Sequence, residues 1–320
     1  MKRYLRYVLP AGGSFIAMAA FGFQSIAGPV QQLAMAGVGR WPETEGVADT
    51  ATAPTLTWQE HWFEHRQEMR RVFSNASISV YYDKETPGTI TWPDTLLTKV
   101  WNYTTQTYGA FGKDNRLFVL LHTGKYAGGH PSTYFDRSHD YRNVIDVGHA
   151  GDWVSPTGWN LDAAVHEVGH IVEGASKGVH GSPAFPIWKD SKWMEIYQYD
   201  VYRALGWDAE AQRWFNMQMK GTDNFPRPGT QWFKNWFYPL YHQYGGAKVL
   251  NNFFRLLAAN FPRNGNAYTR DMNWGEFIHF WSGAAGVNLK PQATIAFGWP
   301  DEWEAQFRQA QKDFPGVKYK

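Results

Sequence analysis

The sequence predicts an α+β protein, with a mixed α/β lobe first and a mainly helical lobe after it. Three observations carry this. Short apolar or alternating runs of strand length all fall before about residue 150. From about residue 191 onward strand signals nearly vanish and helical spacing takes over. The chain has 320 residues, 43% hydrophobic and 17% aromatic, enough to bury a sizeable core and too rich in aromatics for long disorder.

Composition also excludes several classes. With no cysteine, a disulfide scaffold and Cys-based zinc sites are both ruled out, so a zinc here must use His, Asp or Glu. The only long apolar stretch is N-terminal, which argues against a polytopic membrane protein. A net charge of +2 gives no broad electrostatic footprint for nucleic acid.

Taken in order, residues 1–36 read as a secretory signal. Lys2, Arg3 and Arg6 form a basic start, Ala11 to Phe23 a short apolar run, and small-x-small sites end at Ala27 and Ala36. Loss of those three cations leaves a near-neutral chain. A secreted, periplasmic or cell-surface location in a bacterial-type cell is expected, with no stable membrane association after cleavage. Residues 37–56 lack periodicity and read as a flexible leader. Residues 57–74 suggest a charged amphipathic helix, and Ala76 to Asp83 a strand. Pro93 and Asp94 open a helix whose apolar residues include Leu97, Val100 and Trp101. Arg116 to His122 is a short buried strand, 123–140 a Gly-rich polar loop, and Asn143 to Val147 an edge strand. Asn160 caps a helix that runs through Ile171 and Val172 to Gly174. The lobes divide as 57–185 and 186–320, with the joint near Gly181 to Pro186. Helices follow at 191–205, 208–219, 231–244, 246–260, 273–283 and 301–313.

One pentapeptide carries chemistry: His166-Glu167-Val168-Gly169-His170, an H-E-x-x-H. On a helix, positions i and i+4 share one face, so both imidazoles can bind a single Zn²⁺. Glu167 then sits where it can act on a water as general base. Gly169 leaves room for another segment to approach. A second pattern, His61-x-x-Glu64-His65, is the inverted motif, but Glu60, Arg66, Glu68, Arg70 and Arg71 surround it, as expected of a solvated surface helix. The metzincin offsets after His170 hold Glu173 and Ser176, so that pattern fails. For the third metal ligand Glu195, 25 positions after His170 and on the next helix, is the leading candidate; Asp200, Glu173 and His180 remain alternatives.

With those residues in place the chain resembles a zincin metallopeptidase of the gluzincin type, over roughly residues 140–205. The resemblance implies a zincin-like fold with an antiparallel edge strand in the first lobe and the active site in a cleft between the lobes. It implies Zn²⁺ on His166, His170 and Glu195, and a peptide, protein or glycoprotein substrate lying along Asn143 to Val147. Several gluzincins carry an acid four residues after the ligand Glu; here Tyr199 holds that place and Asp200 follows it. The H-E-x-G-H form also occurs among the enhancin/mucinase-like (M60-like) peptidases.

The expected activity is a secreted zinc-dependent peptidase with Glu167 as base and Tyr241 or His242 stabilising the oxyanion. The other reading is a non-catalytic secreted module that binds glycan or protein on a degenerate zincin scaffold. A monomer is expected. Seventeen tryptophans suggest either an aromatic cleft or packing anchors, and anchors are the simpler expectation. Tyr126 to His130 and Asp136 to Asp140 offer side chains for a second cation, but match no calcium loop and read as solvated.

Overall fold

A computed structural model describes residues 54–62 and 65–320. The expected signal segment, most of the expected leader, and Glu64 lie outside the described residues. Among the described residues, no helix is long and apolar enough to cross a membrane.

The molecule is mixed α/β. Its main sheet has six strands: β1 (Thr57–Gln59), β2 (Glu68–Ser74), β3 (Ile78–Tyr82), β4 (Leu117–Thr123), β5 (Gly128–Ser132) and β6 (Asn143–His149). They lie in the order β1-β2-β3-β4-β6-β5. The three central strands, β3, β4 and β6, are parallel, and the outer pairings are antiparallel. The sheet is covered on both faces, which is why its central strands read as continuous apolar runs. Val80, Val119, Leu121, Ile145 and Val147 join the main core. Their neighbours Tyr81, Phe118, Leu120 and Val144 face the other way, into a smaller cluster with Trp58, Trp62 and Met69.

Two expectations change here. The stretch 57–74 is not a helix but contributes β1 and β2. Met69 is buried between exposed Glu68 and Arg70, a period of two that the surrounding charges obscured. Nor is 143–147 an edge: β6 is paired on both sides, in parallel with β4 and antiparallel with β5. The edge on this side of the sheet is β5, within the stretch expected to be loop. Gly128, Gly129 and Pro131 give it little intrinsic strand preference, so tertiary pairing decides its conformation.

Helix α1 (Trp92–Tyr108) connects β3 to β4, and α2 (Trp159–Ala175) follows β6. Helix α2 begins one residue before Asn160, whose side chain donates to the carbonyls of Asp152 and Ser155 instead of capping. After α2 come α3 (Phe185–Trp188), α4 (Lys192–Ala204), α5 (Asp208–Gln218) and a π-type turn (Phe233–Phe237) that continues as α6 (Tyr238–Gln243). Helix α7 (Ala247–Asn260), a two-stranded ribbon of β7 (Arg263–Asn264) and β8 (Ala267–Tyr268), α8 (Trp274–Ala285), α9 (Lys290–Phe297) and α10 (Asp301–Asp313) complete the described chain. Helix α8 starts with a capping box between Asn273 and Glu276.

One apolar cluster runs without a break from Ile78 to Val317. Trp188, Trp193, Trp232, Trp236 and Trp281 are fully buried in it. No tryptophan among the described residues is exposed, so the aromatic excess serves mainly as packing.

Candidate metal centre

Helix α2 is buried nearly all round, between the sheet, α1 and α4. That accounts for its apolar flanks. It also makes its polar residues conspicuous, because a buried polar group without a partner is costly. Asp162 is satisfied by Tyr202 and Arg213, at 2.7 and 2.6 Å. His166, Glu167, His170 and Glu173 form the rest of the polar set.

The i, i+4 spacing does bring His166 and His170 together: their Nε2 atoms are 3.1 Å apart. A tetrahedral zinc with bonds of ~2.05 Å sets two ligand nitrogens roughly 3.3 Å apart, so the pair fits a shared ion with little movement. The other ring nitrogen of His170, Nδ1, lies 3.0 Å from Glu173 Oε2. In the neutral ring, as a bound cation would require, donation from Nδ1 to that carboxylate leaves Nε2 as the free lone pair. Glu173 Oε1 in turn accepts from Ser182 Oγ at 2.9 Å and from Trp188 Nε1. Glu173, one alternative for a metal ligand, is therefore engaged in orienting His170.

Burial holds the His166 imidazole well below its ordinary range, and the His170 and Lys192 charges add to this against the Gln198 side chain. That shift favours the neutral ring, the form that can bind a metal. Burial also disfavours charge on His170, but the Glu173 hydrogen bond and the carboxylates of Glu167, Glu173 and Asp190 outweigh it and push His170 up to about 9. Burial pushes Glu167 up to about 8. Its Oε2 is buried with no hydrogen-bond partner. Its other oxygen faces β5: a Cβ on Gly129 would lie 2.8 Å from Glu167 Oε1. Strand β5 comes this close to Glu167 only because that residue has no side chain.

Two acids stand near the imidazole pair. Asp190, half-buried just before α4, has an oxygen 3.5 Å from His170 Nε2 and groups with both imidazoles within 4.8 Å. Sequence reasoning missed it; a lone acid ahead of a helix reads as a start signal, and nothing local marks it as a ligand. Glu195 is buried on α4 and outside that group, its Oε1 2.5 Å from Lys192 Nζ. Burial pushes it up to about 7 despite Lys192. Lys192 and Gln198, three residues before and after Glu195, are both electrostatic neighbours of His166. The same face of α4 therefore meets α2 at this point. The helices approach at Gly169, where a Cβ would lie 2.9 Å from both Met194 Sδ and Tyr197 Cδ1.

The remaining expected residues lie elsewhere. Asp200 accepts from Tyr103 Oη at 2.7 Å and also bonds Tyr241. Tyr241 packs on Tyr199 with ring centroids 5.6 Å apart. His242 is exposed and stacks on Tyr238. His180 is half-buried with its Nε2 3.6 Å from Asp136.

No protein-family model matches this chain, and no curated protein matches it. Among solved structures it is similar to a functionally unknown conserved protein from Bacillus anthracis str. Ames, at 13% identity and a TM-score of 0.46, over 73% of this chain and 50% of that one. It is also similar to an M1 zinc metallopeptidase from Deinococcus radiodurans, at 12% identity and a TM-score of 0.33, over 83% of this chain and 51% of that one. The chain thus spans about half the length of these solved chains, and likeness at this level fixes neither activity nor substrate.

Proposed function

We propose that the protein is a secreted zinc-dependent metallohydrolase that cleaves peptide bonds in peptide, protein or glycoprotein substrates. The observation that carries this reading is Glu167: a buried carboxyl with an unpartnered oxygen, next in sequence to one of two imidazoles whose Nε2 atoms stand 3.1 Å apart. A buried acid kept free of partners is costly to stability and suits a group that must exchange a proton.

His166 and His170 would hold the ion, with Glu195 as third ligand, in keeping with a zincin-like, gluzincin-type arrangement. When bound, zinc supplies Lewis acidity to water and to the substrate carbonyl. Glu167 takes the proton of the attacking water and delivers it to the leaving amine nitrogen as the C–N bond breaks. Glu173 keeps His170 in the tautomer that presents Nε2. Strand β5 ends the sheet, so its outer rim suits an extended peptide added as a further strand, with the scissile bond brought beside Glu167 through the gap at Gly129.

The test is Glu167→Gln. Zinc content by elemental analysis should match that of the unaltered protein, while turnover of a casein-type substrate should fall by about 10²–10⁴-fold, the range for loss of a general base. Turnover within a few fold of normal would remove Glu167 from the mechanism.

A further inference from the structure

On the face of the sheet turned away from α2, four buried side chains meet. His122 on β4 and Asp146 on β6 project to this face, alternating with Leu121 and Val147, which enter the main core. Glu60 follows β1, and His65 precedes β2. All four are at least nine-tenths buried, with exposures of 1% for Glu60, 7% for His65, 0% for His122 and 1% for Asp146.

Their spacing is that of a coordination shell. His122 Nε2 is 2.9 Å from Glu60 Oε1 and 3.0 Å from Asp146 Oδ1. His65 Nδ1 is 3.5 Å from Glu60 Oε1 and 3.2 Å from Asp146 Oδ2. Four-coordinate zinc with N and O ligands has edges of roughly 3.3 Å. Three of the inward atoms, Glu60 Oε1, His122 Nε2 and Asp146 Oδ1, are buried and make no aligned hydrogen bond, so they face only one another.

Outward atoms of the same residues, in contrast, are held. Glu60 Oε2 accepts from Gln67 N at 3.1 Å, and Asp146 Oδ2, the oxygen nearer His65, also accepts from Trp62 Nε1 at 2.9 Å. His122 Nδ1 is 3.2 Å from Asp83 Oδ2. Asp83 is itself fixed by the Thr86 amide and hydroxyl at 2.9 and 2.8 Å and by Lys125 Nζ at 3.2 Å. A carboxylate behind a histidine is the arrangement that orients an imidazole toward a metal. Two carboxylates among the four ligands match the charge of one divalent cation.

We propose that Glu60, His65, His122 and Asp146 form a second metal site, which binds Zn²⁺. The mixed imidazole–carboxylate set of four suits zinc and is poor for calcium or magnesium, which take six or more oxygens. All four positions come from protein, so the site is closed and structural: it ties the segment between β1 and β2 to β4 and β6. It does not depend on the catalytic reading of the His166 and His170 pair.

The test is zinc stoichiometry of the full-length chain, stripped with chelator, equilibrated with Zn²⁺ alone and desalted. The unaltered protein should hold about two ions, and His166→Ala and Asp146→Asn about one each. A zinc-edge anomalous map of the unaltered protein should place one peak among these four side chains, which keeps the test valid if Asp146→Asn fails to fold. One ion in the unaltered protein and none in His166→Ala would overturn the second site and leave the catalytic reading intact. One ion in both would support the second site and overturn the catalytic one. No ion in either would overturn both.

Discussion

His170 is held from two directions: Glu173 Oε2 is 3.0 Å from its Nδ1, and His166 Nε2 is 3.1 Å from its Nε2. A ring so placed has little freedom to turn its lone pair away from an ion. The third ligand is where single residues compete. Asp190 is nearer as the side chains stand, but it is half-buried and solvent weakens its charge. Glu195 is buried, with the Lys192 ammonium standing where its counter-cation must be. On the proposed reading, an ion on His166 would replace that ammonium as the partner of Glu195. Glu195→Gln should therefore weaken zinc binding by at least 10²-fold, and Asp190→Asn by about tenfold or less, read by competition with a chelator. The reverse order would make Asp190 the ligand. At this scale the sequence was legible where chemistry is local. His166, Glu167 and His170 are brought together by the helix alone, whereas Asp190 carries no pattern that marks it.

Among elements, the approach of β5 to α2 matters most for the site. Gly129 stands at the closest point, and its backbone is not in the left-handed region, so a methyl group there meets the Glu167 carboxylate without straining the chain. Gly129→Ala should lower kcat by about 10–10²-fold through displacement of the base. Zinc content and thermal midpoint should stay close to those of the unaltered protein, and an unchanged kcat would show that β5 does not set the position of Glu167. The expected order of elements failed in two places for one physical reason. A strand with little intrinsic preference, such as Gly128–Ser132, and a strand masked by charge, such as Glu68–Ser74, are both settled by pairing with distant partners. Helices α4, α5, α7, α8 and α10 fell close to their expected ranges because each carries its own apolar stripe and end signals.

Across the whole molecule, Asp200 connects three helices: it sits on α4, accepts from Tyr103 on α1 and bonds Tyr241 on α6. Burial pushes its carboxyl up to about 6 against the pull of those hydroxyls. The folded state thus prefers the protonated acid. The cost is absent below the ordinary value of 3.8, grows as pH rises toward about 6, and is constant above that. Asp200→Asn keeps an acceptor for the tyrosines and removes the charge. Relative to the unaltered protein it should gain roughly 2–3 kcal/mol between pH 3.5 and pH 7.5, measured by urea unfolding at each pH. A difference that does not change with pH would show that Asp200 is not buried as a charge.

By itself the sequence determined the helical second half, the apolar runs that become central strands, and the pair of imidazoles with its intervening acid. Each rests on contacts within a few residues, where periodicity and helix geometry are enough. Only the tertiary structure decided which strand ends the sheet, which acids stand near the imidazole pair, and that Glu60 and His65 meet His122 and Asp146. Those groups are brought together across long stretches of chain by strand pairing and burial, and no local pattern records that distance.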